Sequence, residues 1–164
     1  MKRSNLLLTC LALAVISMLA LARPALAGDQ VPFKGSLEGV VTRAGMPPIV
    51  SVNVNATGNA SQLGSFAVAI PHTVNIGTRT ATGEYLFVAA NGDTLTATFE
   101  GASMPTAADP TVLAIVEHAT ITGGTGRFEG ATGSFTTERL YDTVTGTTAG
   151  SFEGTISTPG SAKN

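Results

Sequence analysis

The chain has 164 residues, a formal net charge of −2, only 12% charged residues and glycine at 19 positions. This length suits one domain of ordinary size. Without an excess of positive charge, the chain lacks the usual electrostatic basis for binding nucleic acid or an anionic membrane surface. Cys10 is the only cysteine, which excludes an internal disulfide and a cysteine-based metal site.

Residues 1–27 show the three parts of a secretory signal in order. Lys2 and Arg3 form the positive start, an apolar run covers residues 6–21, and Ala-Leu-Ala at 25–27 is a small-x-small cleavage site. The run is short for a spanning helix, although an uncleaved anchor is the alternative. Cleavage after Ala27 would remove Cys10 and three of the nine basic residues. It would leave a single domain, 28–164, in the periplasm or outside the cell.

The remaining chain is rich in Gly, Thr, Val and Ala, and no window keeps an apolar helical period for three turns. β-Branched residues fit a pleated sheet better than a helix. Short strand-like segments recur between turn signals, a pattern typical of a β-sandwich or barrel. A frayed tail is expected at 158–164. The predicted strands are Gly35–Thr42, Ile49–Ala56, Ser65–Ile70, Gly83–Ala90, Asp93–Gly101, Thr111–Thr122, Thr132–Tyr141 and Thr147–Ser157.

The clearest hairpin has Asn91-Gly92 at its turn, a dipeptide that favours the type I′ geometry. Its second arm alternates leucine, alanine and phenylalanine with threonine, which predicts one buried and one solvent-exposed face. Its first arm is apolar on both faces at 85–88, and so is the segment 112–116. Such strands in a one-layer barrel need cover on the outside, which predicts a subunit interface.

An apolar-Glu-Gly triplet occurs four times in the chain. The structural interpretation places the apolar side chain inward, the glutamate outward and the glycine at a sharp bend. The functional alternative is a ring of carboxylates. Two of the triplets lie in near-copies, 35–39 and 150–154, which would suit first and last strands that pair to close a barrel. The triplets are Leu37-Glu38-Gly39, Phe99-Glu100-Gly101, Phe128-Glu129-Gly130 and Phe152-Glu153-Gly154.

Residues 123–135, Gly-Gly-Thr-Gly-Arg-Phe-Glu-Gly-Ala-Thr-Gly-Ser-Phe, are the most distinctive stretch. They resemble the Gly-Thr-Gly-Lys/Arg-Phe…Ala-x-Gly signature of allene oxide cyclase-like and dirigent-like barrels. The chain looks most like small secreted bacterial members of this group. A phosphate loop is disfavoured, because the closing Gly-Lys-Ser/Thr and a following helix are missing. A tight turn between two strands is predicted from Gly124, Thr125, Gly126, Arg127, Phe128 and Gly133.

The resemblance implies a closed, antiparallel, eight-stranded barrel of the calycin-like type. Plant relatives are often trimers, bind an apolar or phenolic molecule in the barrel and control the stereochemistry of its reaction. The residues that do this in plants match no motif of the present chain. The resemblance therefore predicts a fold and a ligand-binding interior, and it carries over no enzyme activity.

Glu117 shares a strand face with Leu113, Ile115, Ala119 and Ile121. If that face is interior, Glu117 is a buried carboxylate that needs a partner, a mark of functional sites. If it is exterior, Glu117 is an ordinary solvated residue at the edge of an interface. Both alternatives stay open at this stage.

A polar cluster ends the seventh predicted strand, with Glu138 and Leu140 on one face and Arg139 and Tyr141 on the other. A polar group at a barrel mouth can orient a ligand whose body is buried. The only histidines, His72 and His118, lack neighbours at metal-ligand spacing, so no metal and no cofactor is predicted. The predicted ligand contacts are Glu117, Glu138, Tyr141 and Tyr85, and no residue is predicted to be catalytic.

Three functional hypotheses follow from these observations. The first is an exported binding module for a small apolar or aromatic molecule, with no nucleic acid or membrane as partner after cleavage. The second is an isomerase- or cyclase-like barrel enzyme, which predicts an ionisable group at the base of an open cavity. The third is a structural or surface-interaction protein with a filled interior. A homo-oligomer is expected, and the resemblance favours a trimer.

Overall fold

Eight antiparallel strands make up most of the computed structural model, which describes residues 29–157. Each strand pairs with the next along the chain, and the first pairs with the last to close a barrel. The predicted signal and tail lie outside the described residues. The prediction of a closed, eight-stranded antiparallel barrel is confirmed. The strands are β1 (Gln30–Ala44), β2 (Ile49–Ala60), β3 (Gly64–Asn75), β4 (Thr80–Ala89), β5 (Thr94–Pro105), β6 (Val112–Gly124), β7 (Gly133–Asp142) and β8 (Thr147–Ser157).

Seven of the eight strands extend past the bounds predicted from the sequence at one end or both, β1 and β3 by the most residues. β1 begins at Gln30, and its first residues pair with β8 alone, since pairing with β2 starts at Gly35. Pro32 is tolerated there because a strand with one neighbour has no second ladder to break. β3 continues through Pro71 to Asn75 because the β3–β4 ladder skips Ile70 and Pro71. Proline therefore does not end this strand.

The triplets take the structural interpretation. Their leucine and phenylalanines are buried, whereas Glu38, Glu100, Glu129 and Glu153 are exposed. The two near-copies do pair, with Gly35 opposite Phe152. An added Cβ at Gly35 would lie 2.6 Å from the Cζ atom of Phe152. Glycine thus makes room for a large inward side chain on the neighbouring strand.

One half of the barrel interior is filled by aromatic rings, which we call the aromatic plug. Neighbouring rings have centroids between 5.0 and 6.4 Å apart, mostly in edge-to-face or tilted arrangements. Such geometries are the preferred ones for aromatic pairs. The rings pack against one another and so form the core of this half. The members of the plug are Phe33, Phe66, Tyr85, Phe87, Phe99, Phe135 and Phe152.

The glycine-rich motif closes this end of the barrel as the predicted turn. Gly126–Phe128 forms one turn of 3₁₀ helix, and the Phe128 side chain is fully buried. Nη2 of Arg127 donates to the Leu63 carbonyl at 3.0 Å, and its guanidinium lies over the Phe128 ring. Gly126 has a φ of 59°, in the left-handed region that favours glycine. Arg127 therefore joins two turns of the closed end.

Candidate functional site

The opposite end of the barrel opens into a cavity of about 580 Å³. This volume falls in the range of small-molecule sites. The loops 45–48, 76–79, 106–111 and 143–146 surround its mouth. A polar floor lies against the aromatic plug and consists of His72, Glu117, Arg139 and Tyr141. The walls are mainly aliphatic, and Arg43 and Arg79 also line the cavity. The aliphatic residues are Val41, Val50, Val52, Val54, Val74, Leu113 and Ile115.

A buried ion pair forms the centre of the floor. The side chains of Glu117 on β6 and Arg139 on β7 are 1% and 2% exposed. Nη2 of Arg139 donates to Oε1 of Glu117 at 2.7 Å, and Nε donates to Oε2 at 3.2 Å. Two parallel bonds of this kind are the strong form of an arginine–carboxylate contact. Burial is tolerated because each charge has its partner.

Further hydrogen bonds complete this network. Nη1 of Arg139 donates to Oγ1 of Thr148 at 3.2 Å. The Tyr85 hydroxyl donates to Oε2 of Glu117. Oγ1 of Thr137 lies 3.0 Å from the Tyr85 hydroxyl oxygen. In the described part of the chain, no buried side-chain nitrogen or oxygen lacks a partner. The Glu117 carboxylate is therefore fully engaged by protein groups.

The network keeps its protons in fixed places. Burial raises the pKa of Tyr85 well above its ordinary value, and the Glu117 carboxylate raises it further. Burial alone would lower the pKa of Arg139, but the charge and hydrogen bonds of Glu117 outweigh burial and raise it. Tyr85 therefore stays a neutral donor and Arg139 a cation at neutral pH.

Three of the four polar side chains of the floor have a glycine beside them on a neighbouring strand. Gly101 is paired with Glu117, Gly150 with Arg139, and Gly83 with His72. Added Cβ atoms would lie 2.7 Å from the Glu117 Cγ, 2.5 Å from the Arg139 Cβ and 2.3 Å from the His72 Cβ. These inward glycines therefore provide the space that the polar floor needs.

His72 uses only one of its two ring nitrogens in a hydrogen bond within the protein. Its Nδ1 lies 2.8 Å from the Ile70 carbonyl oxygen. A carbonyl only accepts, so Nδ1 carries the proton. Burial, only partly offset by this hydrogen bond, lowers the pKa of His72 below its ordinary value. The ring is neutral at neutral pH, so Nε2 keeps its lone pair, and the residue lines the cavity.

The structure brings three of the four predicted ligand contacts together. Glu117 points inward, which decides between the two alternatives for its face, and Tyr141 lines the cavity. Tyr85 lies behind the floor, where it bonds Glu117 without lining the cavity. Glu138 is on the outer surface beside exposed Leu140, because strand alternation turns it away from Arg139. It therefore does not line the cavity.

The sequence places Arg139 in the polar cluster of the seventh strand, but neither Arg139 nor His72 is among the predicted ligand contacts. Arg139 shares a strand face with Tyr141, and its pairing with Glu117 depends on the β6–β7 register. The detectable signal is glycine on a neighbouring strand, which leaves room for each long side chain. Within residues 29–157, no three His, Cys, Asp or Glu side chains are grouped so that they could hold a metal ion.

Comparison with known proteins establishes the fold class. No protein-family model matches the chain, and no curated protein matches it in sequence. The solved structure of the pterocarpan synthase dirigent protein GePTS1 is similar, with a TM-score of 0.58 and 13% identity over 85% of this chain and 94% of the other. The solved structure of the pterocarpan synthase dirigent protein PsPTS1 is also similar, with a TM-score of 0.57 and 11% identity over 79% of this chain and 96% of the other.

The chain thus has a dirigent-like β-barrel fold. The resemblance first seen in residues 123–135 is confirmed at the level of the fold. Identities this low carry no residue roles from one protein to the other. Among the described residues, no helix is long and apolar enough to span a membrane.

Proposed function

We propose that the protein is an exported binding module that holds one small, mainly apolar molecule in the barrel cavity. The observation that carries this proposal is the open cavity itself, with aliphatic walls above a polar floor. Apolar surface removed from water contributes about 25 cal/mol per Å². The floor can then orient the ligand through a few polar contacts.

A preformed site supports binding without a large rearrangement. Closed strand pairing holds the walls, and the ion pair and aromatic plug hold the floor from below. A ligand that enters such a site does not have to order the protein around it, which limits the entropy lost on binding. The filled half of the barrel restricts the ligand to the open half.

The direct test is binding of the hydrophobic fluorophore N-phenylnaphthylamine to the wild type and to Val52→Phe. We expect the wild type to bind the fluorophore saturably at one site. The larger side chain of Val52→Phe would occupy the cavity, so the dissociation constant of the fluorophore should be roughly tenfold higher or more for this variant. Ser51→Phe is the matched control, since Ser51 directly precedes Val52 in β2 and its side chain is exposed on the outer face of the barrel. Equal affinity of Val52→Phe and wild type would contradict the proposal. Lack of binding by the wild type would favour a structural or surface-interaction protein.

Catalysis of an isomerase- or cyclase-like reaction is the second candidate. The observation that favours it is the presence of the ionisable groups His72, Glu117 and Arg139 at the base of an open cavity. Recovery of the ligand unchanged from the protein would count against catalysis and support binding alone. Recovery of an isomer in excess over the protein would establish catalysis.

Export is proposed on the three-part signal at residues 1–27, with cleavage after Ala27. A homo-oligomer is proposed on the outer groove, a depression formed by Val40, Ala67, Ala69, Leu86 and Val88. Leu86 and Val88 are 36% and 45% exposed although they are large and apolar. A second copy covering this groove would remove that surface from water.

Native mass spectrometry of the protein recovered from the producing cell tests both proposals at once. We expect a chain that begins at Gly28, assembled into a multiple of that mass, with three copies favoured by the resemblance. Leu86→Glu is expected to release single chains, because a charge in an apolar interface is unfavourable. A chain that retains residues 1–27 would contradict export with cleavage, and single chains of wild type would contradict assembly.

A further inference from the structure

His72 differs from Glu117 and Arg139, the ion pair at the cavity floor, in what its hydrogen bonds leave free. Both Glu117 oxygens accept bonds from Arg139, and Tyr85 adds a third. Arg139 is held by Glu117 and Thr148. These groups hold one another in place. The imidazole of His72 uses one nitrogen for the Ile70 carbonyl and has a second nitrogen to offer.

The position of the ring is set by neighbours on three strands. On its own strand, β3, the ladder to β4 skips Ile70 and Pro71, and the Ile70 carbonyl accepts the Nδ1 proton. On β4, Gly83 leaves space directly opposite. On β5, the Phe99 ring stands edge-on to the imidazole at 5.7 Å between centroids. The tautomer and the orientation of the ring are therefore fixed before any ligand arrives.

We propose that Nε2 of His72 is a specificity-determining acceptor, and that the natural ligand of this cavity is an apolar molecule with a hydroxyl or N–H group that donates to it. The proposal rests on the proposed function, since it names the chemistry of the same cavity. A site built to accept a hydrogen bond rejects an analogue that lacks the donor, because the analogue leaves the acceptor desolvated and unpaired.

The first test compares β-naphthol with its methyl ether, which has the same aromatic body but no donor. We expect the wild type to bind β-naphthol about tenfold more tightly, the usual size of one hydrogen bond in a desolvated site. His72→Phe keeps a planar ring and removes the acceptor, so the ratio of the variant's affinities for β-naphthol and the ether should fall to about one. His118→Phe is the matched control, since His118 is exposed on the outer face.

A pH series on the wild type supplies a readout that needs no variant. Protonation of His72 at low pH turns Nε2 into a donor, so the preference for β-naphthol should be lost. The other charged or titratable groups that line the cavity are Arg43, Arg79, Glu117, Arg139 and Tyr141. His72→Phe should show an unchanged ratio of the two affinities across the same range, which assigns the change to His72.

The outcomes separate the two proposals. Equal affinity of the wild type for both probes, or a preference that persists in His72→Phe, overturns the inference and leaves the binding function intact. Failure of both probes to bind the wild type overturns the binding function and the inference with it. A preference that depends on His72 and disappears at low pH supports both.

Discussion

Replacement of Glu117 by leucine is expected to lower the free energy of unfolding by about 3–5 kcal/mol. The variant leaves the Arg139 cation buried without its counter-charge, and it removes the acceptor of the Tyr85 hydroxyl. Loss of one partner of a buried pair is more harmful than loss of both, because the remaining charge is left unsolvated. The measurement is urea unfolding followed by circular dichroism.

Two variants show whether the ion pair causes the loss. Glu138→Leu, on the outer face of the barrel, should change the free energy of unfolding by less than about 0.5 kcal/mol. The double variant Glu117→Leu with Arg139→Leu should be more stable than Glu117→Leu alone, since neither charge remains. A single Glu117→Leu variant as stable as the wild type would show that Arg139 reaches water without its partner.

Replacement of Phe87 by alanine is expected to lower the free energy of unfolding by about 3–5 kcal/mol. Phe87 is fully buried in the aromatic plug, with the Phe66 ring 5.2 Å away and the Tyr85 ring stacked on it at 5.5 Å. The substitution leaves a void because the surrounding rings are held by their own strands and relax only in part. Urea unfolding measures the loss.

The control for this variant is Leu140→Ala, because the Leu140 side chain points outward from β7, is half exposed and lies outside the outer groove. It should be close to wild type in stability. Phe87→Ala should still bind N-phenylnaphthylamine under conditions where it is folded, because Phe87 does not line the cavity. A small change in the free energy of unfolding of Phe87→Ala would contradict a tightly packed plug. Loss of binding by the folded variant would contradict the separation of the interior into a filled half and an open, ligand-binding half.

The barrel itself could be predicted from local signals. Alternation of threonine with apolar residues places one face of β5 inward, and Asn91-Gly92 marks its turn with β4. The predicted type I′ geometry is wrong, because Gly92 has a positive φ and Asn91 does not. The glycine-rich motif at 123–135 adds the resemblance that implies closure. These features are readable because they depend on neighbours within a few residues along the chain.

The polar floor could be predicted only in part, since it depends on register. Alternation shows that Glu117 shares a face with Leu113, but 112–116 is apolar on both faces, so the inward face is undetermined by pattern. Arg139 and Glu117 are 22 residues apart, and their contact exists only once β6 and β7 are aligned. His72 follows Pro71, and a proline predicts the end of a strand. The β3–β4 ladder skips Ile70 and Pro71, so β3 continues to His72 and beyond.

We expect the ligand to bind in the open half of the barrel and not on its outer surface. Nuclear Overhauser contacts between N-phenylnaphthylamine and the methyl groups of the isotope-labelled protein test this directly. We expect contacts with the methyl groups of Val52, Val54 and Ile115, which line the cavity. Contacts confined to Val40, Leu86 and Val88 in the outer groove would contradict it.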